Sequence, residues 1–109
     1  MVGAGIPAHA LLETYSVLTR LPPPYRVASA VVQALLRRWF PAGRILVASA
    51  ELQRDAVDRL QAVGVDGGAV YDGMVALTAR AHGERLLTFD QRAMRTYEAL
   101  GVEYELLDP

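Results

Sequence analysis

The chain has 109 residues, 52% of them hydrophobic and 21% charged, with a formal net charge of −1 and no cysteine. That is one domain with a single core. The chain is too apolar to be disordered, lacks the basic field of a typical nucleic-acid binder, and cannot form disulfides or thiolate metal sites. No apolar run approaches the ~20 residues of a membrane helix, and "MVGAGIPAHALLE" at the start has neither a basic region nor a long apolar core, so the cytoplasm is the expected compartment. All eleven cations are arginine. Phosphate-binding forks would be one reason; coding bias, in a chain also rich in Ala, Gly and Val, is the preferred one.

In chain order, "PAHALLETYSVLTRL" places Ala8, Leu11, Leu12, Tyr15, Leu18 and Leu21 at spacings of three and four. This predicts an amphipathic helix with Pro7 suited to its first turn, ended by the prolines at 22 to 24. "YRVASAVVQALLRRWF" predicts a second helix with a stripe through Val27, Val31, Leu35 and Trp39, stopping at Pro41. "RILVAS" is a short buried-strand candidate. Ser49 can cap the helix "AELQRDAVDRLQAVG", which finishes at Gly64 in a left-handed terminator position. "VDGGAVYDGMVALTARAHG" reads as loop and then helix to Gly83, "RLLTF" as strand, "QRAMRTYEALG" as helix, and "VEYELL" as a last strand. Strands alternating with helices predict parallel pairing in an α/β layered domain.

Most of the acids read as solvated surface: Glu51, Asp55 and Asp58 beside Arg54 and Arg59, Glu103 and Glu105 in an edge-like strand, and Asp108 in the tail. Three do not. Glu13 lies beside the apolar stripe of the first helix, Asp72 opens a helix of small apolar residues, and Asp90 in "GERLLTFDQRAM" follows a buried strand. Ligands of open α/β sheets gather outside the carboxyl ends of strands. Helix capping accounts for Asp72 or Asp90 singly, but not for three acids together. Converging carboxylates repel and need a neutralising partner. Oxygen-only ligation favours a hard cation, Mg²⁺ or Mn²⁺, whose chemistry suits phosphodiester hydrolysis.

These residues resemble a family. "YDGMVALTARAHGERLLTFD" is similar to the C-terminal signature of PIN-domain nucleases, above all the VapC-like ribonuclease toxins of VapBC-type toxin–antitoxin pairs. In that signature an Asp opens a helix of small apolar residues, a Gly follows, and a strand ends in Thr-x-Asp. "PAHALLETYSVLTRLP" resembles the family's earlier helix, whose Glu falls on Glu13. The resemblance implies a three-layer PIN-like (Rossmann-like) α/β domain over residues 1–109 with a short parallel sheet. It implies a Mg²⁺- or Mn²⁺-dependent endoribonuclease that leaves a 5′-phosphate. Glu13, Asp72 and Asp90 would be the metal-pole carboxylates, with Thr88 a catalytic neighbour whose hydroxyl can hold a carboxylate, a water or a phosphate oxygen. At its start the chain departs from the pattern: the family's N-terminal strand and first catalytic Asp have no counterpart, so a shortened form is expected, self-associating as a homodimer or higher oligomer.

Arg20, Arg85 and Arg92 are the arginines expected to hold RNA at the rim, and His9 and His82 are expected to be surface residues. The resemblance also implies a VapB-like antitoxin, for which the helix pair 8–20 and 26–40, with Tyr15, Val31, Leu35 and Trp39, offers a groove. Trp39 stays open between core and self-association surface. The rival reading is a catalytically impaired PIN-like module that only binds an antitoxin or a sister chain. A carboxylate-based phosphatase lacks the strand-end DxD nucleophile it would need.

Overall fold

The computed structural model describes residues 5–88 and 90–107; Phe89, the end of the expected strand 85–89, and the tail charge Asp108 lie outside them. The chain divides into two compact units, Met1–Val47 and Ala48–Pro109.

In the first unit a two-residue strand, β1 (Ile6–Pro7), leads directly into α1 (Ala8–Thr19). Pro7 stands at the helix N-cap, where a missing N–H costs nothing. Periodicity did not reveal β1, because two residues carry no alternation to count. After the prolines, the Val27 N–H returns to the Leu18 carbonyl at 3.1 Å, and α2 (Ser29–Trp39) follows. Beyond a 3₁₀ turn at Ala42–Arg44, β2 (Ile45–Leu46) pairs with β1 in parallel, Ile6 against Ile45 and Pro7 against Leu46. The two helices thus form the crossover that a parallel pair requires.

The buried face of α2 differs from the expected stripe. Val32 (0% exposed) and Leu36 (9%) are buried, whereas Val31 and Trp39 are 50% and 55% exposed. Positions 28, 32 and 36 form a stripe with the same spacing as 27, 31, 35 and 39, turned by one residue, or about 100°. Both stripes are apolar, so periodicity could not choose between them. Trp39 is not a core residue.

The second unit matches its expected elements closely. Ser49 caps α3 (Ala50–Ala62), its side chain accepting the Leu52 N–H at 3.0 Å. Ala56 and Leu60 face inward while Glu51, Arg54, Asp55, Asp58 and Arg59 are exposed. Gly64, at φ +73°, then turns the chain out of the helix in the left-handed region where a side chain is penalised. Next come α4 (Ala69–Ala81), β3 (Leu86–Thr88), a 3₁₀ turn at Gln91–Ala93 running into α5 (Met94–Ala99), and β4 (Tyr104–Leu106). β3 and β4 pair in parallel, Leu86 with Tyr104 and Thr88 with Leu106, with α5 in the crossover. Ala56, Leu60, Ala76, Leu77, Tyr97 and Leu100 are among the residues of the core they enclose.

At Gly73, α4 packs closely against Leu60 of α3 and Thr96 of α5. A Cβ there would lie 2.5 Å from Leu60 Cδ2, 3.4 Å from Leu100 Cδ1 and 3.6 Å from Thr96 Cγ2. Gly73→Ala gains about 1 kcal/mol of helix propensity, but overpacking costs about 1–3 kcal/mol, and Leu60, 5% exposed, has little room to turn away. The expected result is a net loss of about 1 kcal/mol, a fall of about 4–8 °C in Tm for a domain of this size. Thermal melts followed by circular dichroism measure it, and an unchanged Tm would show that Leu60 shifts without cost.

Candidate active site

Asp72 and Asp90 reach their positions by different routes. Asp72 lies in the first turn of α4, half-buried; the N-cap is Gly68, which makes no side-chain cap. Asp72 therefore does not cap the helix, although a carboxylate in the first turn interacts favourably with the helix dipole. Asp90 lies past the carboxyl end of β3 in extended conformation (φ −94°, ψ 102°). Its Oδ1 accepts the Arg92 N–H at 2.9 Å and so caps the 3₁₀ turn, while Thr88 Oγ1 accepts the Asp90 N–H at 3.1 Å. The cap occupies one oxygen of a group with about four lone-pair sites. Capping and ligand binding are thus compatible at Asp90.

Sequence reasoning missed a residue that feels the charges of both acids. Tyr97 on α5 is 4% exposed. Its ring packs on Tyr104 with centroids 5.6 Å apart and planes at 51°; Tyr104 in turn donates its hydroxyl to Glu98 Oε1 at 2.6 Å. The Tyr97 hydroxyl is hydrogen-bonded to the side chain of Thr88 and feels the charges of both Asp72 and Asp90. This bond favours the ionised phenol, so Thr88 donates its proton to the Tyr97 oxygen while its own oxygen accepts the Asp90 N–H. Burial pushes the Tyr97 phenol above its ordinary range, the Thr88 hydrogen bond opposes this, and the two carboxylates push it further up. Tyr97 stays neutral. In the sequence it is one of a run Ala93, Tyr97, Leu100 that reads as an ordinary core stripe, and no spacing rule ties it to the acids.

Two carboxylates and the Thr88 hydroxyl make an oxygen-only donor set, the kind that suits a hard divalent cation, which is commonly held by one or two carboxylates and completed by water and substrate oxygens. The donor set fits such an ion. Among the described residues no group of three or more His, Asp or Glu is placed to hold a metal by itself. Glu13 is in the first unit, on α1. Its side chain is 55% exposed, and its Oε1 pairs with His9 Nε2 at 2.7 Å, one turn away. His9 is exposed, as expected, but tied to a candidate residue. His82 stands at the C-cap of α4.

The three rim arginines differ. Arg85 is engaged with Glu105, Nη2 to Oε2 at 2.9 Å, next to the β3–β4 pair. Arg20 is the exposed C-cap of α1 in the first unit. Arg92 lies beside Asp90, with Nε 3.7 Å from Oδ1 and a side chain 95% exposed, a loose contact that is worth little.

The first unit carries an open apolar groove of about 560 Å³, lined by Leu11, Leu12, Tyr15, Gln33, Leu36, Arg37, Phe40, Pro41, Ala42 and Ile45. Tyr15 lines it as expected. Val31, Leu35 and Trp39 do not, because α2 presents the neighbouring stripe.

A family model described as PIN domain matches residues 3–99, running through both units. Over 105 residues the chain is 49% identical to Ribonuclease VapC40 of Mycobacterium tuberculosis, in strains CDC 1551 / Oshkosh and H37Rv alike, an alignment spanning 96% of this chain and 78% of that protein. Over 99 residues it is 44% identical to Ribonuclease VapC27 of strain H37Rv, spanning 91% of this chain and 71% of the relative. No solved structure matches the chain.

Proposed function

The chain belongs to the PIN-domain family, among the VapC-like ribonucleases, and from that premise we propose that it is a Mg²⁺- or Mn²⁺-dependent endoribonuclease and the toxin of a toxin–antitoxin pair. The observation that carries this reading is that Tyr97, hydrogen-bonded to Thr88 beyond the end of β3, feels the charges of both Asp72 and Asp90. Asp72 and Asp90 would hold the divalent cation. When bound, it supplies Lewis acidity for phosphodiester hydrolysis, in which water adds to phosphorus and the bond to the leaving oxygen breaks.

The residues of the chain do the rest. The Asp90 cap and the Thr88–Asp90 hydrogen bond fix the carboxylate of Asp90 before any ligand arrives. Tyr97, kept neutral, orients Thr88 without adding a third negative charge. Thr88 is half-buried and offers a hydroxyl beside the pair. Glu13 enters as the third carboxylate through the family pattern alone, and Glu13→Gln tests it. The test of the whole reading is cleavage of single-stranded RNA by the purified chain, with Mg²⁺ or Mn²⁺ and with EDTA. Cleavage that persists in EDTA, or that survives Asp90→Asn, contradicts it.

The toxin part of the proposal draws on the groove of the first unit. An amphipathic segment of a VapB-like antitoxin laid into it would cover Leu12, 71% exposed, and Tyr15, 40% exposed. Leu12→Glu is expected to weaken co-purification of the protein encoded beside this gene at least tenfold, with RNA cleavage unchanged. Equal recovery would place the partner elsewhere. We read the two units as one functional domain acting in the cytoplasm; among the described residues no helix is long and apolar enough to cross a membrane. Self-association as a homodimer is part of the same reading, and light scattering decides it.

A further inference from the structure

The nuclease reading leaves open how the RNA strand lies, and a second cleft bears on that question. This cleft, of about 530 Å³ in the second unit, is lined by Ala69, Gln91, Arg92, Arg95 and Thr96. Ala69 begins α4, and positions three and four further on, Asp72 and Gly73, share its helix face. The opposite wall starts at Gln91, the residue after Asp90. Thr96, 7% exposed, lies where α5 packs against Gly73. One wall therefore continues along α4 to Asp72, and the other adjoins Asp90, whose Oδ1 lies 3.7 Å from Nε of the lining residue Arg92.

Its charge is opposite to theirs. Arg92 and Arg95 are three residues apart, a spacing that puts side chains on one side of a helical turn, and both line the cleft. Among the described residues the Arg92 side chain makes only the 3.7 Å approach to Asp90. Arg95 forms no ion pair among the described residues. Like charges at this spacing are mildly destabilising, and a bound anion relieves them. A guanidinium presents a planar fork of donors that matches a phosphate, and Gln91 adds amide donors beside it. No carboxylate is among its lining residues and two guanidinium groups are, so it suits the phosphate backbone of a strand.

We propose that this cleft is the subsite for a phosphodiester of single-stranded RNA flanking the one cut at Asp72 and Asp90, with Arg92 and Arg95 gripping it. The proposal rests on the nuclease reading and fixes the path of its substrate. Arg85, engaged with Glu105, takes no part in it.

The test is binding of a short fluorescein-labelled single-stranded RNA to the full chain in EDTA, followed by anisotropy across a salt series. Both arginines are exposed, so the double variant Arg92→Gln, Arg95→Gln keeps the fold, and an unchanged Tm checks this. The variant should bind at least about tenfold more weakly. The slope of log affinity against log salt should become shallower by about 0.7, the contribution of the one single-strand phosphate that is no longer neutralised. Arg95→Lys should keep its share of the slope while losing part of the affinity. The control pair Arg54→Gln, Arg59→Gln on α3 should change neither. A double variant with native slope and affinity overturns the subsite, even if the native chain cuts RNA. A native chain that neither binds nor cuts RNA overturns the nuclease reading instead, and this subsite with it.

Discussion

Asp72→Asn is expected to lower metal-stimulated RNA cleavage by about 10³-fold in kcat/KM while leaving the metal-free fold as stable as before. The first half follows from the role proposed for Asp72. Charge stabilisation by a cation at a reacting phosphoryl group is worth several kcal/mol, and about 4 kcal/mol corresponds to three decades of rate. The second half follows from its position. Asp72 makes no side-chain cap on α4, and the amide keeps its size and one of its oxygens, so the charge–dipole loss of about 0.3–1 kcal/mol leaves the fold nearly as stable. Asp90→Asn is the matching variant and the cleaner one, since asparagine caps as well as aspartate and the hydrogen bond from the Arg92 N–H survives. Native protein should gain Tm on addition of Mg²⁺ or Mn²⁺, because an ion that binds only the folded state stabilises it; both variants should lose that gain. Kinetics with Mn²⁺ and paired melts with and without metal measure the two halves. If Asp72→Asn melts normally and still cuts within threefold of native, the acid is only a first-turn charge.

The sequence made the second unit largely legible because its signals were local and redundant. Ser49, Gly64 and Asp90 each mark a helix boundary by a mechanism that needs no tertiary contact, and each behaves as expected. Parallel pairing of β3 and β4 followed from strands alternating with helices. Legibility failed where two choices were locally equal. On α2 the stripes through Val31 and through Val32 differ by one residue, and only packing decides that Val32 and Leu36 go inside. β1 was too short for any periodic signal. The site shows the same division. Asp72, Thr88 and Asp90 stood out because carboxylates and hydroxyls at helix starts and strand ends are hard to read as solvated surface. Tyr97 was hidden because its burial is what a tyrosine in a core stripe does anyway, and its hydroxyl's partners come from two other elements of the fold. Arg95 was hidden for another reason: nothing in the sequence shows which of the eleven arginines the fold brings to the cleft with Gln91 and Arg92.

Tyr97→Phe separates packing from positioning at that hidden residue. The substitution removes one oxygen and keeps the ring that packs on Tyr104 within the core. Thr88 still accepts the Asp90 N–H, but its own proton loses its partner. The cost in stability should be that of one hydrogen bond, about 1 kcal/mol, read as a few degrees in Tm. The effect on the metal should be larger. Groups that orient metal ligands typically account for 10–100-fold in metal affinity or activity when removed, and the Tyr97 hydroxyl is hydrogen-bonded to Thr88 and feels both acids. The concentration of Mg²⁺ giving half-maximal cleavage is therefore expected to rise about 10–100-fold, with most of kcat recovered at saturating metal. That split between metal affinity and turnover is what a packing role would not produce. Tyr97→Leu, which loses ring and hydroxyl together, should show the same metal shift with a much lower Tm. A Tyr97→Phe chain with a reduced Tm and a native metal requirement would confine Tyr97 to the core, and the geometry of the site would then depend on Thr88 and the Asp90 cap alone.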